Sequence, residues 1–241
     1  VLFASLFKKH DVHEQIISFI ASKREGVNRS DIEAKLKYKG GRLTDRLKEL
    51  EEVGFITSIT PWKKERGIFY KVTDEYSLFY LTWIAPRAAS RISRNIDERY
   101  WDVLSSKSTW KAWAGYTFET ICFKHINQIK KALNIPDGSN VSSWRYTADR
   151  HSKEMGAQID LVFDRPDKIV NLCKIKYSNS SFIIDKKYAE HLLNREKIYC
   201  KITKTKKQIF HSMIVSAGLK ENMYSDAIIS SFASLDDLFT Y

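Results

Sequence analysis

The residues best suited to chemistry in this 241-residue sequence are an aspartate and two lysines in its second half. Asp160 lies in Gln158-Ile159-Asp160-Leu161-Val162-Phe163, where apolar and polar residues alternate as on a strand with one buried face. The turn-forming run Asp164-Arg165-Pro166-Asp167 follows, and then a second strand candidate from Ile169 to Lys176. A period of two places Val170, Leu172, Lys174 and Lys176 on one face of that strand. A carboxylate on one strand beside an acid-x-Lys on its neighbour can hold a divalent cation through oxygen ligands. The lysine then orients water or stabilises developing negative charge.

One position departs from that pattern. Cys173-Lys174-Ile175-Lys176 has a lysine where the second acid belongs. Two unit charges roughly 4 Å apart interact by about 4 kcal/mol at an effective dielectric near 20. Exchanging Glu for Lys therefore removes an attraction to the metal and adds a repulsion. The expected outcome is that Lys174 pairs with Asp160 or Glu119 and leaves a metal-free site. The alternative is that Glu154 or Glu190 swings in as the missing acid.

The elements that position these groups follow from periodicity. A long amphipathic helix is expected from Trp110, with Phe118, Ile121, Cys122, His125, Ile126, Ile129 and Leu133 on one stripe. Glu119 borders that stripe and needs a partner, because burying a lone carboxylate is costly. A metal, Arg145 or Lys176 could serve. His125 reads as a satisfied core-edge histidine, and the other five histidines show no ligand spacing. Strands are expected at Val141 to Thr147 and Gln208 to Val215, with a helix around Lys186 to Tyr199. The order α, β, β, β, α, β over 107–241 predicts an α/β domain with a central mixed sheet.

Residues 1–73 predict a winged helix-turn-helix. Ile16, Ile17, Phe19 and Ile20 mark a first helix, and Ser30 with Glu33 forms a capping box for a second. Gly40-Gly41 then precedes a third helix bearing Leu43, Leu47 and Leu50. Two strands follow, Phe55 to Ile59 and Ile68 to Val72, joined by the basic run Pro61 to Gly67. In a DNA-binding reading, Arg42, Thr44 and Arg46 of the third helix reach bases or phosphates in a major groove. Lys63, Lys64 and Arg66 of the wing contact backbone phosphates. Asp45, Glu49, Glu51 and Glu52 argue equally for a module that packs between domains.

Residues 74–106 are expected to form a helical connector: an all-round apolar helix from Asp74 to Ala85 ending at Pro86, then an Arg-rich solvated one. The overall sequence is α+β and fits a globular protein, with 43% hydrophobic residues and mean hydropathy −0.39. No apolar run approaches the roughly 20 residues of a membrane span. Three scattered cysteines fit a reducing cytoplasm better than a disulfide framework, and none has zinc-ligand spacing. The net charge of +11 favours a polyanion partner, against the plainer alternative of a solvated basic surface. The chain opens Val1-Leu2-Phe3-Ala4 without an initiator Met, and is read as starting inside a longer protein.

The capped helices and hairpin, Gly115-Tyr116-Thr117-Phe118-Glu119, Gly156-Ala157-Gln158-Ile159-Asp160-Leu161 and Asn171-Leu172-Cys173-Lys174-Ile175-Lys176 together resemble the C-terminal half of prokaryotic archaeal-type AAA+ ATPases. In that family a P-loop module precedes a winged helix and a restriction-endonuclease-like domain of the PD-(D/E)xK type. The resemblance implies that Glu119, Asp160 and Lys176 match the nuclease pattern, with Glu119 and Asp160 holding Mg²⁺ or Mn²⁺ in a working site, and that Lys174 stands in place of the acid. No G-x-x-x-x-G-K-[ST] occurs here, so ATP would bind an N-terminal module of the same polypeptide. The expected function is a non-catalytic DNA-binding and regulatory region of an ATPase; the alternatives are a metal-dependent DNA endonuclease and an interaction scaffold, oligomeric or not, that leaves DNA alone.

Overall fold

The computed structural model describes residues 10–23, 26–59, 68–86, 99–148 and 156–240. The chain divides into two compact units, 1–102 and 103–241. It is a mixed α+β structure, and no helix among the described residues is long and apolar enough to cross a membrane.

The first unit contains α1 (His10–Ala21), β1 (Val27–Asn28), α2 (Arg29–Leu36), α3 (Gly41–Glu52), β2 (Ile56–Ile59) and β3 (Phe69–Val72). The strands form an antiparallel sheet in the order β1-β3-β2. Ile16, Ile17 and Ile20 of α1, Ile32 of α2 and Leu43, Leu47 and Leu50 of α3 are buried with Ile56 and Val72. The cap of α2 differs from the sequence expectation. Asn28, not Ser30, is the N-cap, and its Oδ1 accepts from the Asp31 N–H at 2.8 Å. Ser30 lies inside the helix and donates its hydroxyl to the same oxygen. Asn outcompetes Ser because its side chain reaches the N3 amide from an extended backbone. Gly40 starts α3 with φ 67° and ψ −150°, a region that side-chain-bearing residues avoid.

After β3, α4 (Glu75–Phe79) is capped by Asp74 and widens into a π-turn at Tyr80–Ile84. The extra residue of a π-turn rotates the following side chains. Leu78 is buried, but Tyr76 is 60% exposed, so this segment is one-sided rather than apolar and buried all round.

In the second unit, α6 (Ser108–Lys124) follows α5 (Tyr100–Ser106), which straddles the division; α7 (Ile126–Ala132), β4 (Asn140–Tyr146), β5 (Ala157–Asp164), β6 (Ile169–Lys176) and β7 (Phe182–Ile183) come next. Then come α8 (Lys186–Thr203), β8 (Gln208–Val215), β9 (Leu219–Lys220), α9 (Met223–Ile228), β10 (Ile229–Ser234) and a closing 3₁₀ turn (Asp236–Phe239). The expected long helix is broken at His125, whose φ of −109° and ψ of 33° leave helical space. The main sheet has the order β10-β8-β6-β5-β4: β10, β8 and β6 run parallel, and β5 and β4 pair antiparallel beside them. One face buries Leu161, Phe163, Cys173, Ile175 and Ile214 against Phe118, Cys122, Ile129 and Leu133 of α6 and α7. The other buries Trp144, Ile159, Val162, Val170 and Leu172 against Tyr199 of α8. Covered on both faces, β5 and β6 read as nearly continuous apolar runs, and the expectation of one buried face for β5 is corrected accordingly.

Candidate functional site around Asp160

The β4–β5 ladder shifts register between Ser142↔Val162 and Trp144↔Ile159. Two steps along β4 thus span three along β5, which places a bulge at Asp160–Leu161. Side-chain parity changes there: Ala157 and Ile159 join the α8-side cluster, whereas Leu161 and Phe163 join the opposite one. Bulges bend a strand and re-aim its side chains. On the other side of β5, the pairing with β6 ends at Leu161↔Cys173.

Asp160 fills the opening beyond that last pair. Its Oδ2 accepts the backbone N–H of Ile175 at 2.8 Å. The Lys174 ammonium lies 2.7 Å from Oδ2 and 3.0 Å from Oδ1. Asp160 is 3% exposed, and the Lys174 side chain 26%. Both carboxylate oxygens therefore face a cation that is part of the chain. Such a pair meets the requirement that a buried charge be matched.

Glu119 is half-buried on α6. Burial pushes the Cys122 thiol pKa up, and the charges of Glu119 and then Asp160 push it further. Two of the expected acids thus act electrostatically on one buried thiol. Cys173 is likewise raised by burial, with a hydrogen bond to Ser212 opposing and Asp160 reinforcing. Lys176 is half-buried at the end of β6, its Nζ 5.7 Å from the Phe182 ring centroid. Of the four expected site residues, the structure joins Asp160 and Lys174 directly and sets Glu119 in the same electrostatic surroundings. Glu190 is exposed on α8, and Glu154 lies outside the described residues.

A divalent cation needs converging oxygens, and an ammonium offers only donors. Among the described residues, no group of three or more His, Cys, Asp or Glu could hold a metal ion. The described residues around Asp160 do not fit one.

Helix α8 supplies groups that the sequence reading missed. Tyr188, Leu192, Arg195 and Tyr199 recur at i, i+4, i+7 and i+11, so they share one face. The Tyr188 hydroxyl and Arg195 Nη1 on that face are buried without a hydrogen-bond partner. Burial, eased by the nearby Arg195 and reinforced by Asp160, pushes the Tyr188 pKa up to about 12. A small pocket beneath α8 is lined by Gln158, Lys174, Leu192, Arg195 and His211. His211 is itself hydrogen-bonded to Glu196 at 2.8 Å. In sequence, Asn194-Arg195-Glu196-Lys197 reads as a solvated charge run; only the aromatic and leucine spacing around Arg195 could have marked it. His125 also differs from expectation: its ring packs 5.2 Å from Phe239, but Nδ1 is buried without a partner.

In the first unit, Arg42 and Thr44 are exposed on α3. Thr44 Oγ1 accepts from Arg29 at 2.8 Å. Arg29 also donates to Glu33 and to the Gly40 carbonyl, each at 2.9 Å, which ties the start of α2 to the start of α3. Arg46 is paired with Glu49, whose same oxygen lies 2.7 Å from Nε2 of the fully buried His13. Burial raises the Glu49 pKa, but the hydrogen bonds from His13 and Arg46 outweigh it and hold the carboxyl below its ordinary value. Lys63, Lys64 and Arg66 fall outside the described residues.

No protein-family model and no solved structure matches the chain. An uncharacterized protein of Methanocaldococcus jannaschii is 24% identical over 198 residues, which covers 80% of this chain and 42% of that protein. The chain thus spans about two fifths of the length of the relative it matches.

Proposed function

We propose that this chain is a DNA-binding and regulatory region whose nuclease-like centre is held metal-free by Lys174. The observation that carries the reading is the Lys174 ammonium on both oxygens of Asp160, at 2.7 and 3.0 Å, where a divalent cation would otherwise bind. In this reading the second unit is a restriction-endonuclease-like domain. Its support is the order helix, three antiparallel strands, helix and parallel strand, with the acid at a bulge of β5 opposite β4. The first unit is a winged helix, supported by three helices followed by the β2–β3 pair. Arg42 on α3, together with Lys63, Lys64 and Arg66, meets DNA phosphates, in keeping with the net charge of +11. A cytoplasmic setting, from the three scattered cysteines, and an AAA+ ATPase module of the same polypeptide, from the resemblance carried by Gly156-Ala157-Gln158-Ile159-Asp160 and Cys173-Lys174-Ile175-Lys176, belong to the proposal.

Duplex DNA binding tests the reading. We expect weak, sequence-tolerant binding that falls steeply as salt rises and falls further in a Lys63→Ala, Lys64→Ala, Arg66→Ala triple variant. Plasmid should stay un-nicked with Mg²⁺ or Mn²⁺, with or without chelator. Chelator-sensitive nicking would favour the endonuclease alternative, and binding indifferent to salt and to the triple variant would favour the scaffold.

A further inference from the structure

We infer that the second unit carries its own surface for a duplex phosphate backbone, built by lysines at the C-terminal end of α8 and at the β5–β6 turn. The inference rests on the proposed reading of the chain as DNA-binding, and adds a contact surface to those of the first unit. Residues 197–207 contain Lys197, Lys201, Lys204, Lys206 and Lys207 and no acid. On α8, Lys197 and Lys201 stand one turn apart, and Lys204 at the C-cap continues their stripe at i+7. That stripe lies opposite the face that buries Ala189, Leu192 and Tyr199, and all three lysines are exposed. Like charges at i, i+4 destabilise a helix by themselves; a polyanion laid along them turns that repulsion into attraction.

The turn before β6 brings a further lysine to the same end of the sheet. The Gln208 N–H donates to the Lys168 carbonyl at 3.0 Å, and Lys207 Nζ donates to the Arg165 carbonyl at 2.8 Å. The β5–β6 turn and the α8–β8 connection are thereby held together, with Lys168 and Lys206 exposed on them. The acids of that turn are already engaged: Asp164 pairs with Lys207, and Asp167 with Arg165. Among the described residues, Lys168, Lys197, Lys204 and Lys206 make no ion pair. Two of these lysines hold left-handed backbone, Lys168 at φ 63° and Lys204 at φ 54°. Glycine takes that region freely, whereas a side chain there is strained. Lysine at both positions keeps a charge at a conformational cost, which a merely solvated surface does not require.

The shape of the surface favours a duplex over a compact anion. From Lys197 to Lys204 the stripe rises about 10 Å, and B-DNA carries a charge about every 1.7 Å of its axis. An extended phosphate backbone can therefore meet all three lysines at once. Between them no large apolar side chain shares the stripe, as lying in a membrane interface would need. The surface also stands apart from Asp160: Ile169, beside Lys168, is roughly 17 Å from Lys174 along β6 at about 3.3 Å per residue.

Fluorescence anisotropy of a short labelled duplex with the whole chain tests the inference. A variant carrying Lys197→Gln, Lys201→Gln, Lys204→Gln and Lys206→Gln is expected to bind roughly tenfold more weakly, with the slope of log affinity against log salt reduced by about 3. Lys168→Gly with Lys204→Gly relieves the left-handed strain, so it should match or exceed the native Tm and still bind the duplex more weakly. The Lys63→Ala, Lys64→Ala, Arg66→Ala variant should retain a salt-sensitive remainder that the glutamine substitutions remove. Weakening by the glutamine substitutions alone, with the wing variant unchanged, would support this surface and contradict the role given to the first unit. Native affinity and slope in the folded glutamine variant would overturn the inference, and a wing variant that then loses binding would leave the proposed function standing. Loss of binding to phosphatidylserine vesicles in the glutamine variant, with duplex binding unchanged, would overturn it in favour of a membrane surface.

Discussion

The Ile175 amide donates to the Asp160 carboxylate at 2.8 Å, immediately past the last β5–β6 backbone pair at Leu161↔Cys173. A side chain thus takes over where the ladder ends, and Lys174, between Cys173 and Ile175, is brought onto the same carboxylate. The bulge, the opened ladder and the ion pair are parts of one local arrangement. Removing the carboxylate should therefore disturb both a backbone donor and a charge.

Asp160→Ala leaves the Ile175 N–H and the Lys174 ammonium without their acceptor. Breaking a buried pair from one side costs about 3–5 kcal/mol; partial exposure of Lys174 lowers the expectation to about 2–3 kcal/mol. Asp160→Asn keeps an acceptor for Ile175 and should recover about half of that loss. Urea unfolding measures both variants, and equal losses would show that the backbone bond contributes little.

Much of this arrangement could be read in the sequence, but its detail could not. Two apolar runs of strand length separated by the turn-forming Asp164-Arg165-Pro166-Asp167 located β5 and β6 and put Asp160 and Lys174 on adjacent strands. The bulge between Ile159 and Leu161 was hidden, since an apolar run covered on both faces gives no parity to follow. The break at His125 was hidden as well, because the stripe from Phe118 to Leu133 continues through it. Arg195 was obscured by the charged residues that flank it. The sign of the site, a lysine in place of an acid, was legible from one letter. Its consequence, both Asp160 oxygens turned to that lysine, needed the fold.

Glu49 gives a pH prediction for the first unit. Its carboxyl is held below the ordinary value of 4.5 by His13 and Arg46. A depressed carboxylate contributes stability that is present above its unfolded pKa and lost as pH falls through the folded one. Stability should therefore decline below about pH 4.5 with a component absent from Glu49→Gln. Urea midpoints between roughly pH 3 and 6 measure it, and parallel profiles for the two chains would show that the His13–Glu49–Arg46 cluster has no net effect.

Arg29 joins α2 to α3 through Glu33, Gly40 and Thr44. These bonds are largely exposed, so Arg29→Ala should cost only about 1 kcal/mol. The loss should be local, appearing as faster hydrogen exchange at the Leu43 and Thr44 amides, which both donate to the Gly40 carbonyl. Unchanged exchange there would mean that the backbone cap holds without the arginine.

The central claim is that Lys174 occupies the cation's place beside Asp160. Calorimetric titration of the chain and of Lys174→Glu with Mn²⁺ tests it most directly. The native chain should show no saturable metal binding, whereas Lys174→Glu should gain a site from two converging carboxylates. Saturable Mn²⁺ binding by the native chain that is lost in Asp160→Asn would contradict the account, because Asp160 would then serve a metal rather than the lysine.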